Sequence, residues 1–200
     1  MECIIGKDKF PLIKFEDNKY AHIFPVTKYQ FERYIWEKAP DINYDEILKA
    51  NPRISPEKVS KKNLKQLFLT GLTFKEAMGF AEWSGGRLPS KKELDRLEEY
   101  VLEIGIQEIK KLLKRHNNRA SIDKRFLTIV NAFEGMNIRK IKDLFTFTQI
   151  DEFCCSHVSI TERIYVKRLN NGSYAEIVGD DPFAVRGSYG FRVLKEKEEE

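Results

Sequence analysis

The chain has 200 residues, of which 42% are hydrophobic and 33% are charged, and it contains 14 Phe and 8 Tyr. This aromatic content excludes a disordered chain, and a chain of this length can bury roughly 70% of its unfolded surface in one core. No apolar run approaches the length of a transmembrane helix, and no basic segment followed by an apolar core opens the chain, so we expect no membrane contact and a cytoplasmic location. The net charge of +4 is too balanced to indicate a nucleic-acid partner by itself. The many Lys, Glu and Ile residues suggest a thermophilic source.

The first predicted elements are a hairpin and a helix. Residues 9–26 predict two strands around the polar turn at residues 16–19, because apolar and aromatic residues flank a four-residue break. Thr27 and Gln30 then have the spacing of a capping box, in which each side chain bonds the backbone amide of the other. A helix is therefore expected from about Lys28 to Lys38.

The next two predicted helices are separated by the segment GGRLPS, residues 85–90. Capping boxes at Thr73 with Glu76, and at Ser90 with Glu93, predict where each helix begins. The adjacent glycines predict the end of the first helix, because glycine adopts the left-handed conformation of a C-terminal cap. The segment is thus interpreted as a helix stop, a short extended bridge and a helix start.

The remainder of the chain changes from helical to extended patterns. Residues 106–145 have helical periodicity, interrupted by a predicted loop at residues 116–121. Residues 163–178 predict a hairpin with a glycine-containing turn, and residues 183–194 predict a last strand pair or a bent strand. Residues 196–200 are expected to form a solvated tail.

Four segments occur in an order that resembles the formylglycine-generating enzyme (sulfatase-modifying factor) family. The quoted segments are PVTKYQFERYI, GLTFKEAMGFAEWSGGRLPSKKELDRL, QIDEF and VRGSYGFRVLKE. They are similar to the family patterns PVTNAQYxxF, VSWxDAxAYCxWxGGRLPTEAEWEYA, GNVWEW, and RGGSW with a closing GFR. The most specific match covers residues 71–97.

The resemblance implies an α+β, C-type lectin-like fold with a twisted antiparallel sheet, two core helices and paired N- and C-terminal strands. Residues 1–195 are then expected to form a single domain. Residues 98–145 depart from the family, which has irregular ion-binding loops there, and we interpret them as a helical insertion.

The resemblance carries little of the family's chemistry. The family's catalytic cysteine pair lies between RGGS and GFR, and here Ser188 to Phe191 join these two motifs directly. Cys154, Cys155 and His157 form a local cluster of soft ligands, but no third and fourth metal ligand is nearby in sequence. We therefore expect no catalytic residues, no bound metal and no cofactor.

The sequence predicts a non-catalytic binding or regulatory module that recognises a protein partner. Three alternatives stay open: a variable ligand-display protein of a diversity-generating retroelement, an enzyme with a relocated site, and a subunit that docks through its inserted helices. The candidate binding residues are His157, Tyr165, Tyr174, Phe183 and Tyr189, and the candidate docking residues are Lys110, Lys111, Lys114 and Arg115. The residues expected to brace the fold are Gly85, Gly86, Arg87, Pro89, Arg186, Gly190 and Arg192.

Overall fold

A computed structural model describes residues 2–38, 47, 49, 51, 58, 64–117, 151–154, 164–169, 173–178 and 189–197. The described part is mixed α+β. Its strands are β1 (Cys3–Ile5), β2 (Pro11–Glu16), β3 (Lys19–His22), β4 (Asp151–Cys154), β5 (Ile164–Arg168), β6 (Tyr174–Val178), β7 (Tyr189–Phe191) and β8 (Leu194–Glu196). Its helices are α1 (Lys28–Lys38), α2 (Phe74–Trp83) and α3 (Lys91–Asn117), with a 3-10 turn at Leu64–Leu67.

The first sheet joins the two ends of the described chain. Its strand order is β1-β2-β3-β8, and every neighbouring pair is antiparallel. The predicted hairpin at residues 9–26 is confirmed as β2 and β3, with Asn18 in the left-handed region at φ 59°. The expected pairing of N- and C-terminal strands is found between β3 and β8, where Ala21 lies opposite Leu194.

The second sheet has the order β6-β5-β4-β7, with β4 and β7 parallel and the other pairs antiparallel. The hairpin predicted at residues 163–178 is confirmed as β5 and β6. Residues 183–194 were predicted as a last strand pair or a bent strand, and residues 183–188 of this segment lie outside the described residues. In the described remainder, β7 belongs to this sheet, whereas β8 belongs to the first. Only Arg192 and Val193 separate the two strands, so the chain crosses between the sheets there.

Local capping sets where α1 and α2 begin. The Thr27 amide donates to Gln30 Oε1 at 2.8 Å, and the Gln30 amide donates to Thr27 Oγ1 at 3.4 Å. The box of Thr73 with Glu76 at the start of α2 is reciprocal in the same way, with distances of 2.8 and 3.2 Å. Both predicted starts are confirmed, and α1 has the predicted bounds.

The third helix is longer than the sequence pattern suggested. Its start is confirmed, since the Ser90 amide donates to the Glu93 carboxylate at 2.8 Å. The helix then continues without a break for 27 residues to Asn117. It passes through residue 98, where the insertion was expected to begin, and through residues 116 and 117, which were predicted as loop. The core helix and the first inserted residues therefore form one element.

Aromatic packing joins α1 and α2 to the second sheet. Phe80 on α2 lies with its ring centroid 6.0 Å from that of Phe31 and 5.5 Å from that of Phe191. Phe153 and Trp83 belong to the same buried cluster. Full burial of side chains of this size contributes about 1.5–3 kcal/mol each. This cluster fixes α2 above the point where β4 and β7 pair.

One further prediction concerns the C-terminal end of the chain. Glu196 was assigned to a solvated tail, but it belongs to β8 and lies opposite Lys19. Residues 40–70 lie mostly outside the described part, although Leu67, Phe68 and Leu69 at its end are buried. None of the described helices combines the length and the apolar character that a bilayer span requires.

Candidate functional site

The two glycines of GGRLPS have different structural roles. Gly85 has φ +81°, a conformation that a side chain disfavours, which agrees with the predicted helix stop. Gly86 also belongs to the helix stop, since its amide donates to the Ala81 carbonyl oxygen at 2.9 Å, and it lies so close to β8 that an added Cβ would overlap the Leu194 carbonyl oxygen. Arg87 follows and exchanges two backbone hydrogen bonds of 2.8 Å with Leu194. The segment is therefore held against β8 as well as between two helices.

The side chain of Arg87 belongs to an ion-pair network at the start of α3. Its guanidinium donates to both carboxylate oxygens of Glu93, at 2.8 and 2.6 Å, and also contacts Glu196. Lys19 on β3 lies 3.2 Å from Glu93. We call Arg87, Glu93, Glu196 and Lys19 the α3 cap network.

Electrostatics keep Arg87 and Glu93 charged. Burial alone would raise the pKa of the Glu93 carboxyl, but hydrogen bonds from Arg87 and Ser90 outweigh it and hold this pKa well below its usual range. The hydrogen bond to Glu93 raises the pKa of Arg87 in turn, against the opposing effect of burial. The start of α3 is thus tied to Arg87 by a pair of fixed charges, and the contacts with Lys19 and Glu196 link this pair to β3 and β8.

An open groove lies beside this network, between the β2–β3 hairpin and α3. Its volume is about 630 Å³, within the range of about 300–1,000 Å³ found for ligand sites. Charged and aromatic side chains share the lining. We call it the hairpin groove, and the described residues that line it are Glu2, Lys14, Phe15, Glu16, Asp17, Lys19 and Tyr100.

Each lysine of the hairpin groove is shared between two carboxylates. Lys14 Nζ lies 3.9 Å from Glu2 and 3.8 Å from Asp17. Lys19 Nζ lies 3.0 Å from Glu16 and 3.2 Å from Glu93, a neighbour of the groove. Carboxylates therefore outnumber ammonium groups here, and the surface is slightly acidic.

The phenol groups near the groove stay protonated and can act as donors. Tyr20 donates to Glu2 at 2.6 Å, and this hydrogen bond, helped by burial, raises the pKa of Tyr20 to about 12. Burial, with a smaller effect from Glu103, raises the pKa of Tyr100. The groove thus offers carboxylates, ammonium groups and an aromatic ring at one open surface.

A second polar cluster is buried where the β1–β2 turn, β3 and the start of α1 meet. Asp8, in the turn between β1 and β2, accepts from the Phe10 amide at 3.1 Å and from Gln30 Nε2 at 2.7 Å. His22 Nε2 lies 3.1 Å from Asp8 Oδ2, although the direction of its N–H does not meet hydrogen-bond geometry, so the contact is chiefly electrostatic. We call Asp8, His22, Gln30 and Thr27 the Asp8 cluster.

Contacts within the Asp8 cluster keep its carboxyl ionised. Burial would raise the pKa of Asp8, but the neighbouring His22 and the hydrogen bonds from Gln30 and the Phe10 amide lower it overall. The adjoining cavity has only about 10 Å³ of room for the centre of a water molecule, so it cannot admit a substrate. The cluster can fasten the turn, β3 and α1 together, and it does not form an accessible catalytic pair.

The register of the second sheet separates two candidate binding residues. Tyr165 lies opposite Ile177, whereas Tyr174 lies opposite Arg168. Because residues alternate between the faces of a strand and cross-strand partners share a face, the two tyrosines occupy positions on opposite faces. A single binding face can therefore include only one of these two positions.

The other candidate residues are either buried or half-buried near the crossing between the sheets or lie outside the described residues. Tyr189 is half-buried, with its ring 5.4 Å from that of Phe153, and Gly190 is buried in β7. Arg192 is buried and donates to the Ile23 carbonyl oxygen, which ties the crossing between the sheets to the chain after β3. His157, Phe183 and Arg186 lie outside the described residues.

The candidate docking residues all lie on the distal half of α3. Lys111 is exposed and contacts Glu108 at 2.5 Å, whereas the side chains of Lys110, Lys114 and Arg115 lie outside the described part. Elsewhere Trp36 on α1 is 87% exposed. Single exposed apolar side chains are common on protein surfaces, so Trp36 by itself does not define a site.

Of the soft-ligand cluster at residues 154–157, Cys155 and His157 lie outside the described residues. Cys154 is fully buried in β4. No group of three or more His, Cys, Asp or Glu side chains that could hold a metal ion occurs among the residues that the structure describes.

Sequence reasoning missed the residues of both polar sites. Neither Asp8 nor His22 was singled out as a site residue. The charges of the hairpin turn, Glu16 to Lys19, were used to predict the turn but not a surface. In the sequence, the high density of charged residues around that turn was the signal that could have indicated the groove.

The described architecture defines a mixed α+β protein with an open polar groove beside the β2–β3 hairpin of its first sheet. Comparison with protein-family models, with curated proteins and with solved structures finds no match.

Proposed function

We propose that this chain is a non-catalytic binding module of C-type lectin-like fold that recognises a protein partner in the cytoplasm. The hairpin groove is the surface that the geometry favours for this partner. The observation that carries the proposal is the combination of about 630 Å³ of open space with charged and aromatic side chains.

Features of the fold support the lectin-like part of this proposal. The pairing of β3 with β8 matches the arrangement that the family resemblance implies. The segment 85–90 connects two helices and packs against β8, so the most specific matching block lies at the centre of the domain.

The groove suits recognition better than chemistry. Its ammonium groups are each held by two carboxylates, and its described lining contains neither histidine nor cysteine nor a hydroxyl nucleophile other than the Tyr100 phenol. Fixed charges at an exposed surface mainly steer a partner and select its charge pattern. An aromatic ring such as Tyr100 adds contact area with little loss of side-chain entropy.

The enzyme alternative requires titratable groups around a space that fits a substrate. Asp8 and His22 are the described pair closest to this requirement, and their cavity has room for about one water molecule. The ligand-display alternative depends on the candidate binding residues, two of which, Tyr165 and Tyr174, occupy positions on opposite faces of the second sheet. Neither alternative is favoured by the described geometry.

A charge reversal in the groove tests the proposal. Asp17 is fully exposed at the hairpin turn, so Asp17→Lys should fold normally while changing the groove's charge pattern. Wild-type protein, Asp17→Lys and the control Glu82→Lys would each be used as bait in native lysate, with captured proteins identified by mass spectrometry. Glu82 is exposed on α2 and does not line the groove.

We expect wild type and Glu82→Lys to capture the same specific partner, and Asp17→Lys to lose it. Purified partner would then be titrated against the three proteins at low and high salt. Equal affinity of all three proteins for the partner would overturn the assignment to the hairpin groove.

A further inference from the structure

His22 is a buried residue whose polar atoms are not satisfied by the protein. Its side chain is 4% exposed, and neither Nδ1 nor Nε2 has a hydrogen-bond partner among the described residues. Nε2 has at least the electrostatic contact with Asp8. Nδ1 has no such contact, although buried polar atoms are normally hydrogen-bonded to protein or to ordered water.

A small cavity adjoins His22. Its lining includes Thr27 and Gln30 from the start of α1, together with Phe10 and Phe24. The room for the centre of a water molecule is about 10 Å³, close to the minimum of about 10–15 Å³ that one buried water requires. The cavity is too small for any larger ligand.

We propose that this cavity is a specific binding site for one water molecule, which bonds to His22 Nδ1. Water fits this position because it can both donate and accept a hydrogen bond. It can donate to Nδ1 when that nitrogen carries a lone pair, and it can accept from Nδ1 when that nitrogen carries a proton.

Gln30 provides the second partner that a buried water needs. Its amide nitrogen carries two N–H groups, and the described hydrogen bonds use one of them, toward Asp8 Oδ2. Gln30 also lines the cavity, and we assign its second side-chain N–H to the water oxygen. The water thereby joins β3 to the cap of α1, in parallel with the direct contacts through Asp8.

The test is a crystal structure at a resolution that shows ordered water. We expect one density peak in the cavity, about 3 Å from His22 Nδ1. In solution, the same water should give cross-relaxation peaks between water and the amide of Thr27. An empty cavity in the crystal, together with no water signal in solution, overturns the proposal.

Two variants of β3 residues test whether His22 holds the water. His22→Phe keeps a planar ring but removes both nitrogens, so the water peak should disappear. Tyr20→Phe removes a hydroxyl that binds Glu2 away from the cavity, so the peak should remain. A peak that persists at the same place in His22→Phe would show that His22 does not hold the water. If His22→Phe does not fold, the wild-type crystal and solution measurements decide the question alone.

Discussion

The Asp8 cluster and the hairpin groove lie on the same sheet and both pair carboxylates with cationic or polar partners, yet they differ in burial. Asp8 is 1% exposed and bonds to a backbone amide and a glutamine, whereas the Asp17 side chain is fully exposed and only approaches Lys14. In the interior, loss of one partner leaves an uncompensated charge or an unsatisfied group. At the surface, water replaces the lost partner, so the same type of pair contributes little to stability. The buried Asp8 cluster is therefore suited to holding the fold, and the exposed hairpin groove is suited to binding a partner.

The largest effect is expected from removing the buried carboxylate. Asp8→Ala leaves the Phe10 backbone amide and the Gln30 side-chain amide without their acceptor and removes the carboxylate beside His22, so we expect the free energy of unfolding to fall by about 3–5 kcal/mol. Urea denaturation would measure it. Asp17→Ala is the matched control and should change stability by less than about 0.5 kcal/mol. Similar losses in both variants would contradict the comparison of the two sites.

The second-largest effect is expected from acid, which should lower the stability that the Asp8 carboxylate contributes. Because the pKa of Asp8 is lower in the folded protein than its usual value of 3.8, its ionised form stabilises the fold above that pH. This stabilisation is lost as the pH falls through the folded-state pKa. Stability measured by urea denaturation between neutral pH and pH 2 should fall more steeply for wild type than for Asp8→Asn. Parallel curves would indicate that Asp8 does not contribute.

Loss of the N-terminal cap of α3 should have an intermediate effect on stability. Ser90→Ala removes the hydroxyl that accepts from the Glu93 amide, and we expect a loss of about 1 kcal/mol, seen as a lower melting temperature. Lys92→Ala, at an exposed position in the same helical turn, should change the melting temperature little. An unchanged melting temperature in Ser90→Ala together with lost partner binding would assign the segment 85–90 to recognition instead.

The smallest effect on stability is expected in the groove itself. Lys14→Gln removes contacts of 3.9 and 3.8 Å to Glu2 and Asp17, and the free energy of unfolding should change by less than about 1 kcal/mol. Partner affinity should change more, and the change should diminish with added salt because exposed charges are screened. Isothermal titration at two salt concentrations would measure it. A large loss of stability with unchanged binding would make Lys14 a structural residue.

The elements that could be predicted from the sequence depend on residues close together in the chain. The three capping boxes each join residues three positions apart, and the β2–β3 turn is set by four consecutive polar residues. Backbone amides at a helix start need an acceptor within reach, and a side chain three positions away supplies it. Such signals remain visible in any fold that the chain adopts.

Tertiary structure decided the two sites and the role of Gly86. Asp8 bonds to Gln30 across 22 positions, Arg87 meets Glu196 across 109, and Arg192 reaches the Ile23 carbonyl across 169. No periodicity connects residues at these separations. Gly86 does close the predicted helix cap, because its amide donates to the Ala81 carbonyl oxygen at 2.9 Å, but it is the approach of β8 that leaves no room for a side chain there. The sequence by itself determined the starts of the helices and the first hairpin, because their partners are neighbours in the chain. Only the folded sheet brought the charges of the groove and the buried cluster together, because their positions depend on which strands pair.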